Sequence, residues 1–364
     1  MTQSITHILR LELVHTSILA VFASVGITSV AEADNVMCWG LNDRGQTTIP
    51  ANLGPVTAVA AGFSHTLAIK SDGTVRCWGW DFYGQITPPP GLGTVTLIAA
   101  GGSHSVARKS DNTVVGWGRN SEGQCTTPVT LGAASAIAAG WRHTVALKTS
   151  NSSVVCWGYN PDGQCTVPAN LGTVSKVAAG HSHTVALKTN GTVVCWGDNT
   201  NNQCLVPGTA VGVSGIAAGG YHTVALKSNG TVVCWGLNTN GQCTPPANLE
   251  PVAAIAAGVN HTIAQTATLG GGNNIRCWGL NIDGQCTVPP GVGVVNMVSG
   301  GEGHTAIVVA VAGSPGDFNN DGIVDGADLG ELLGAWGSFS LTYDLNGDET
   351  VDGADLGLLL GYWG

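Results

Sequence analysis

The sequence predicts an all-β fold, a seven-bladed β-propeller closed by its N-terminal strand, with a small α-helical C-terminal domain added on two acidic loops. Three observations predict it: a sevenfold repeat across residues 34–312, an apolar opening segment 1–33, and an acidic last segment 313–364 in which one loop-and-helix pattern occurs twice. Gly supplies 54 of the 364 residues, beside many Val, Ala and Thr, a composition that suits short strands and tight turns.

The opening segment holds Arg10, then an apolar run over residues 18–30 (ILAVFASVGITSV), then Ala31-Glu32-Ala33 before Asp34. A basic start, a short apolar stretch and a small-x-small site form a secretory signal. The run is shorter than the roughly 20 residues a spanning helix needs. The mature chain is expected to be exported, secreted or held at a cell surface, without a membrane span.

Two landmarks define the repeat. Trp-Gly recurs at Trp39, Trp78, Trp117, Trp157, Trp196, Trp235 and Trp278, and Gly-x-x-His recurs at His65, His104, His143, His183, His222, His261 and His304. One unit reads VSKVAAGHSHTVALKTNGTVVCWGDN, residues 174–199. Its first run alternates as a strand and ends in residues small enough for a crowded axis. HTVALK is a second alternating run, TNG a hairpin turn, and TVVCWG a third strand whose Trp can cover its neighbour. Units of about 40 residues with three or four strands read as propeller blades. The chain enters at NVMCWG, an outer strand without inner ones, and the array finishes at NMVSGGEGHTAIVVAVAG, inner strands without an outer one. Joined, they make one blade and hide two strand edges.

These repeats resemble the regulator of chromosome condensation family in its short-repeat bacterial form. The pattern WG-x-N-x-x-GQ-x-x-x-P followed by AAG-x-x-HT-x-A-x-K is especially similar to the secreted propeller-type β-lactamase inhibitors of actinobacteria. The resemblance implies the fold; function sits in loops grafted on it. Eukaryotic members exchange nucleotide on a small GTPase through insertions that these near-minimal repeats lack. GWRHT, residues 140–144, matches a motif of the plant ultraviolet-B photoreceptor of the same family, but the equivalent positions in the other repeats hold no further Trp.

The seven His are separated by whole blades, too far to share a metal at about 2 Å, and structural hydrogen bonding is expected of them. No nucleophile stands beside a base, so a non-enzymatic propeller is expected, as a monomer. Residues 34–312 hold 11 acids and 12 bases, which lacks the basic field nucleic acid would require. The pair before each His and the residues after each Trp-Gly share one end of the strands. That face carries Phe63, Trp80, Phe82, Tyr83, Trp141, Arg142, Tyr159 and Tyr221. Aromatics and Arg on loops are enriched in protein interfaces, so the face is the expected site for an extracellular protein partner.

Eleven Cys in an exported chain suggest disulfides, with at least one thiol left over. They stand before Trp (Cys38, Cys77, Cys156, Cys195, Cys234, Cys277) or after Gly-Gln or its equivalent (Cys125, Cys165, Cys204, Cys243, Cys286). Pairing across nine residues gives Cys156 with Cys165 and three equivalents, stranding Cys38, Cys77 and Cys125. Pairing each Gly-Gln Cys with the next pre-Trp Cys strands only Cys77 and would lock the ring through Cys286 and Cys38. Counting favours the second arrangement and hairpin geometry the first.

The last segment holds ten of the 23 acids and no base. Asp317, Asn319, Asp321, Ile323 through its carbonyl, Asp325 and Asp328 occupy positions 1, 3, 5, 7, 9 and 12 of a calcium loop, with Gly322 at position 6. A second copy places Asp344, Asn346, Asp348, Thr350, Asp352 and Asp355 likewise, with Glu349 at the glycine position. Such spacing gathers hard oxygens round one Ca²⁺, and two sites are expected, the second strained by Glu349. Each loop is followed by a leucine-rich segment, LGELLGAWG or LGLLLGYWG, short enough for one helix. The pair resembles a type I dockerin over residues 316–364, which implies calcium-dependent folding and docking into a cohesin-like receptor. In that family loop positions 10 and 11, here Gly326-Ala327 and Gly353-Ala354, help to select the receptor.

Three functions follow as expectations: a protein-binding propeller attached through the calcium module, a component of a polysaccharide-binding or polysaccharide-degrading assembly implied by the dockerin resemblance, and an inhibitor of a hydrolase such as a β-lactamase.

Overall fold

The computed structural model describes residues 35–309 apart from 271–272, and in the last segment residues 316, 318, 324, 326–338, 340, 343–346 and 348–362. The expected leader lies outside the described residues, as do Asp317, Asn319, Asp321, Ile323 and Asp325 of the first loop.

The repeat folds into seven antiparallel sheets of three strands each. The quoted unit, for example, forms Val174–Ala179, His183–Lys188 and Val193–Gly197, hydrogen bonded in that order. Its hairpin turns at Gly191, whose φ of 80° is the left-handed value glycine adopts freely. Two other blades use Asn112 at φ 66° and Ser152 at φ 54° in the equivalent turn. The first strand of every blade touches the first strands of the blades on both sides, and the seventh touches the first, so these strands form the inner ring.

Closure follows the expected offset. Val36–Gly40 pairs with His304–Val309, from Val36 opposite Val308 to Gly40 opposite His304, and Val295–Gly300 completes the sheet. The middle strands depart from the alternation read in the sequence. His183, Thr184, Val185, Ala186 and Leu187 are all buried, because both faces of a blade pack against neighbours, so apolar and small polar side chains are covered alike.

Each repeated Trp spans a blade junction. Trp78 packs with Val36, Ala306 and Val308 of the closing blade and with Val56 and Val59 of its own. Burying an indole removes roughly 150–250 Å² from water, which makes these seven side chains a main source of adhesion between blades. The Gly after each Trp keeps the junction close: at Gly79, φ is 104° and a Cβ would lie 3.1 Å from the Gln46 Cα, whose carbonyl accepts the Trp78 indole N–H.

In the last segment two helices form, α1 (Gly326–Gly334) and α2 (Gly353–Gly361). Val324, Leu332, Val351 and Leu359 make their small core. Both helices end before the Trp-Gly that closes each leucine-rich segment. Among the described residues no helix is long and apolar enough to cross a membrane.

Candidate binding site

The seven His are distributed round the ring and do not converge. Each Nε2 meets the hydroxyl of the next blade at 3.0 to 3.2 Å: His65 with Ser105, His104 with Thr144, His143 with Thr184, His183 with Thr223, His222 with Thr262, His261 with Thr305, and His304 with Thr66. Each hydroxyl donates its own proton to a Gln backbone carbonyl at 2.8 Å, as Thr184 does to Gln164. The hydroxyl oxygen therefore accepts from Nε2–H, which fixes every ring as the neutral Nε2–H tautomer. The same Gln carbonyl accepts the indole N–H of a repeated Trp in six of the seven cases. Burial pushes all seven imidazoles down, to about 3 or 4. Neutral, fully buried and bonded from blade to blade, these His hold the ring together, as the spacing led one to expect. The signal for their partner was the hydroxyl residue directly after each His.

The loop face gathers the expected side chains into two groups and leaves one apart. Trp80, Phe82 and Tyr83 cluster with ring centroids 4.9 to 6.0 Å apart. Arg44 stands 5.8 Å from the Trp80 ring and Arg119 5.3 Å from Tyr83. Phe82 is 73% exposed and Tyr83 39%, so this group faces solvent. The second group is a row across several blades: Tyr221 stacks on His181 at 5.1 Å, His181 on Trp141 at 3.8 Å, and Arg142 lies 4.2 Å from Trp141 and 5.8 Å from Tyr159. Trp141 is laid over Gly102, where a Cβ would come within 2.0 Å of its Cδ1. Any larger residue there would dislodge the indole.

Phe63 instead borders the axis. The Ala-Gly or Gly-Gly ends of the inner strands ring a cavity of about 160 Å³, and the next residue of each blade completes its lining: Phe63, Gly102, Trp141, His181, Gly220, Val259 and Glu302. His181 and Glu302 were not among the residues expected from sequence. Burial, then the Arg142 charge, lowers His181 to about 4. Burial, then the Asp43 and Asp283 carboxylates, raises Glu302 to about 7.

The cysteines follow the nine-residue pairing: Cys156–Cys165, Cys195–Cys204, Cys234–Cys243 and Cys277–Cys286, with Cα atoms 4.8 to 5.0 Å apart. The arrangement favoured by counting does not form, and no Cys286–Cys38 bridge locks the ring. The Trp-Gly turn brings both ends of the nine-residue step side by side within one blade, so the local partner wins. Cys38, Cys77 and Cys125 remain free thiols, pushed up to about 12 by burial and so held in the protonated form.

The second acidic loop is organised by its own carboxylates. Asp355, fully buried, accepts from the backbone N–H groups of Leu345, Asn346 and Asp352. Asp344 accepts from Asp348 and Glu349, and Asp348 from Thr350. In the first loop Asp328 takes the place of Asp355 and accepts from Phe318 at 2.7 Å. Glu349 sits at φ 72°, the left-handed turn that the glycine position demands and an L side chain resists. Among the described residues no three His, Cys, Asp or Glu side chains converge as a metal-ligating group. Gly326 and Ala327 open α1, and Gly353 and Ala354 open α2, where Asp352 caps the helix by accepting from Ala354.

Comparison with known proteins agrees with the geometry of the ring. The regulator of chromosome condensation (RCC1) repeat matches residues 56–85, 95–124, 134–164, 174–203 and 213–242. Five of the seven repeats match this family model. No curated protein matches it by sequence. Among solved structures it is similar to Prp20p of Saccharomyces cerevisiae, with 17% identity, 75% of this chain and 90% of that chain covered, and a TM-score of 0.63. That protein was studied for binding to Gsp1p and histones. Human WBSCR16 gives 18% identity, coverage of 75% and 99%, and a TM-score of 0.63. The ectodomain of the Arabidopsis thaliana receptor kinase ACR4 gives 22% identity, coverage of 71% and 95%, and a TM-score of 0.58. At these identities the likeness concerns the fold.

Proposed function

We propose that this RCC1-repeat propeller is an exported, non-enzymatic binding protein that takes an extracellular protein on its loop face and is attached to a surface or complex by its calcium-dependent last segment. The observation that carries the reading is the contrast on the propeller itself. Each repeated His, Thr, Gln and Trp is spent on holding blades together, whereas the non-repeated residues Trp80, Phe82, Tyr83, Trp141, Arg142, Tyr159 and Tyr221 collect at one end, some of them exposed. Large aromatics on a rigid scaffold lose little entropy on contact and dominate binding energy. Four disulfides suit an oxidising compartment outside the cytoplasm.

For the attachment module the donor chemistry fits a hard cation: Asp344, Asn346, Asp348, Asp352 and Asp355 offer oxygen, as does the Thr350 carbonyl. Calcium bound there would draw these side chains from the loop amides they now accept from, and would offset part of the segment's charge. Leu333, Trp336, Leu358, Leu360 and Tyr362 leave apolar surface exposed on and after the helices, which supports docking into a cohesin-like receptor.

Two experiments test the halves separately. Trp80→Ala, Tyr83→Ala and Trp141→Ala combined should weaken partner capture at least tenfold, by about 1.4 kcal/mol or more; unchanged capture would sink the face. Calcium titration of the full chain by calorimetry should show binding that Asp344→Asn with Asp348→Asn removes from one of two sites, and a flat titration would remove calcium from the reading.

A further inference from the structure

We infer that the axial cavity receives one basic side chain, an arginine or lysine, presented by the protein bound on the loop face; this rests on the reading of that face given above. The first argument is shape. A space of about 160 Å³ ringed by inner-strand ends admits a single long side chain, and Gly102 and Gly220 leave room at its rim for Trp141 and Val259 of the next blades. The second is the wall. Phe63, Trp141 and His181 line the cavity, and Trp141 is held in place by His181 at 3.8 Å. Aromatic faces attract cations, more strongly where water is excluded.

The third argument is charge. Glu302 is the carboxylate of the lining, and Asp43 and Asp283 lie close enough to act on it. Among the described residues no ion pair or side-chain hydrogen bond engages the Glu302 carboxylate, while the nearby cation Arg44 is paired with Asp43 at 3.4 Å. The one carboxylate of the lining thus stands in the field of two further acids, in a propeller whose total charge is near zero. A guanidinium or ammonium would supply the missing partner through a charge-assisted hydrogen bond. The groups that set the charge state are Glu302, Asp43, Asp283 and Arg44 on the acidic side, and His181 with Arg142 behind it in the aromatic row. Glu302, raised to about 7, must be ionised to pair, so binding rises with pH; His181, lowered to about 4, stays neutral over that range.

The test uses the full chain and two capped peptides, acetyl-Gly-Arg-Gly-amide and the neutral acetyl-Gly-Gln-Gly-amide, titrated with Trp fluorescence and calorimetry as readouts. The arginine peptide should bind at least tenfold more tightly at pH 8. That preference should vanish in Glu302→Gln, a near-isosteric change whose fold is checked by circular dichroism, and should fall roughly tenfold at pH 6 as Glu302 takes up a proton. Equal binding of both peptides, a preference that survives Glu302→Gln, or saturable binding of cellohexaose or chitohexaose in place of the arginine peptide would overturn it. Trp80→Ala with Tyr83→Ala leaves the cavity intact and separates the two proposals. Peptide binding retained while partner capture ignores those rings defeats the face alone. Partner capture that depends on them, with no peptide binding, defeats the cavity alone.

Discussion

The propeller and the acidic last segment solve the same problem, buried polar groups, in opposite ways. In the propeller each imidazole Nε2, its hydroxyl, the Gln carbonyl and six of the seven indoles find partners on a neighbouring repeat, and desolvation keeps the imidazoles neutral. In the last segment Asp328 and Asp355 are fully buried as acceptors of backbone N–H groups, and Asp344 and Asp348 of the second loop accept from nearby backbone N–H groups. The difference teaches that repetition supplies its own partners. A ring of identical units can close a hydrogen-bond circuit on itself, whereas the second loop-helix unit folds its carboxylates back on its own backbone N–H groups.

Acid should break the comparison most strongly. The seven imidazoles take a proton near pH 3 to 4 when folded and near 6.5 when unfolded. Between those values the unfolded chain holds more protons, so their contribution is complete above about pH 6.5 and is lost as pH falls towards 3 to 4. Glu302, raised to about 7, works in the opposite sense by about one proton. His181, lowered to about 4, adds to the seven, so unfolding at pH 5 should take up about six to seven protons, read from the pH dependence of the denaturation free energy. An uptake near zero would mean that the imidazoles are not buried neutral.

A smaller break is a single link of the circuit. Thr184→Val removes the acceptor for His143 and the donor to the Gln164 carbonyl, and should cost about 1–3 kcal/mol in chemical denaturation. Thr74→Val, at an exposed turn bond to Asp72, should stay within about 0.5 kcal/mol. A further effect, at the lower end of the Thr184→Val range, sharpens the other side. Glu349→Gly relieves the left-handed strain at φ 72° and should improve calcium binding at the second loop by about 1 kcal/mol, roughly fivefold. Weaker binding would show that the Glu349 carboxylate itself helps to hold the ion.

What the sequence made legible was whatever recurs. Seven Trp and seven His marked the blades, and the split ends of the array disclosed the closing sheet, because each copy repeats the same physical demand. The row of Tyr221, His181 and Trp141 was only partly readable. Its rings come from successive repeats, and nothing in the linear order says that neighbouring blades bring them within stacking distance. His181 was hidden beside a repeated His, and nothing in the linear order shows that Glu302 faces an axis. The cysteine pairing escaped counting because pairing obeys local geometry, not parsimony: Cys156 meets Cys165 across one turn whether or not Cys77 finds a mate.

The closing sheet has a consequence in time. Val36 pairs with Val308, so the first strand to emerge must wait for nearly the whole propeller before it finds its neighbour. His304 likewise donates to Thr66 only once the ring returns to its start. Until then the ends expose open edges and an unfinished circuit. A chain interrupted anywhere before residue 309 is thereby marked as incomplete, and a quality-control protease could tell it from a finished one by a single unsealed seam.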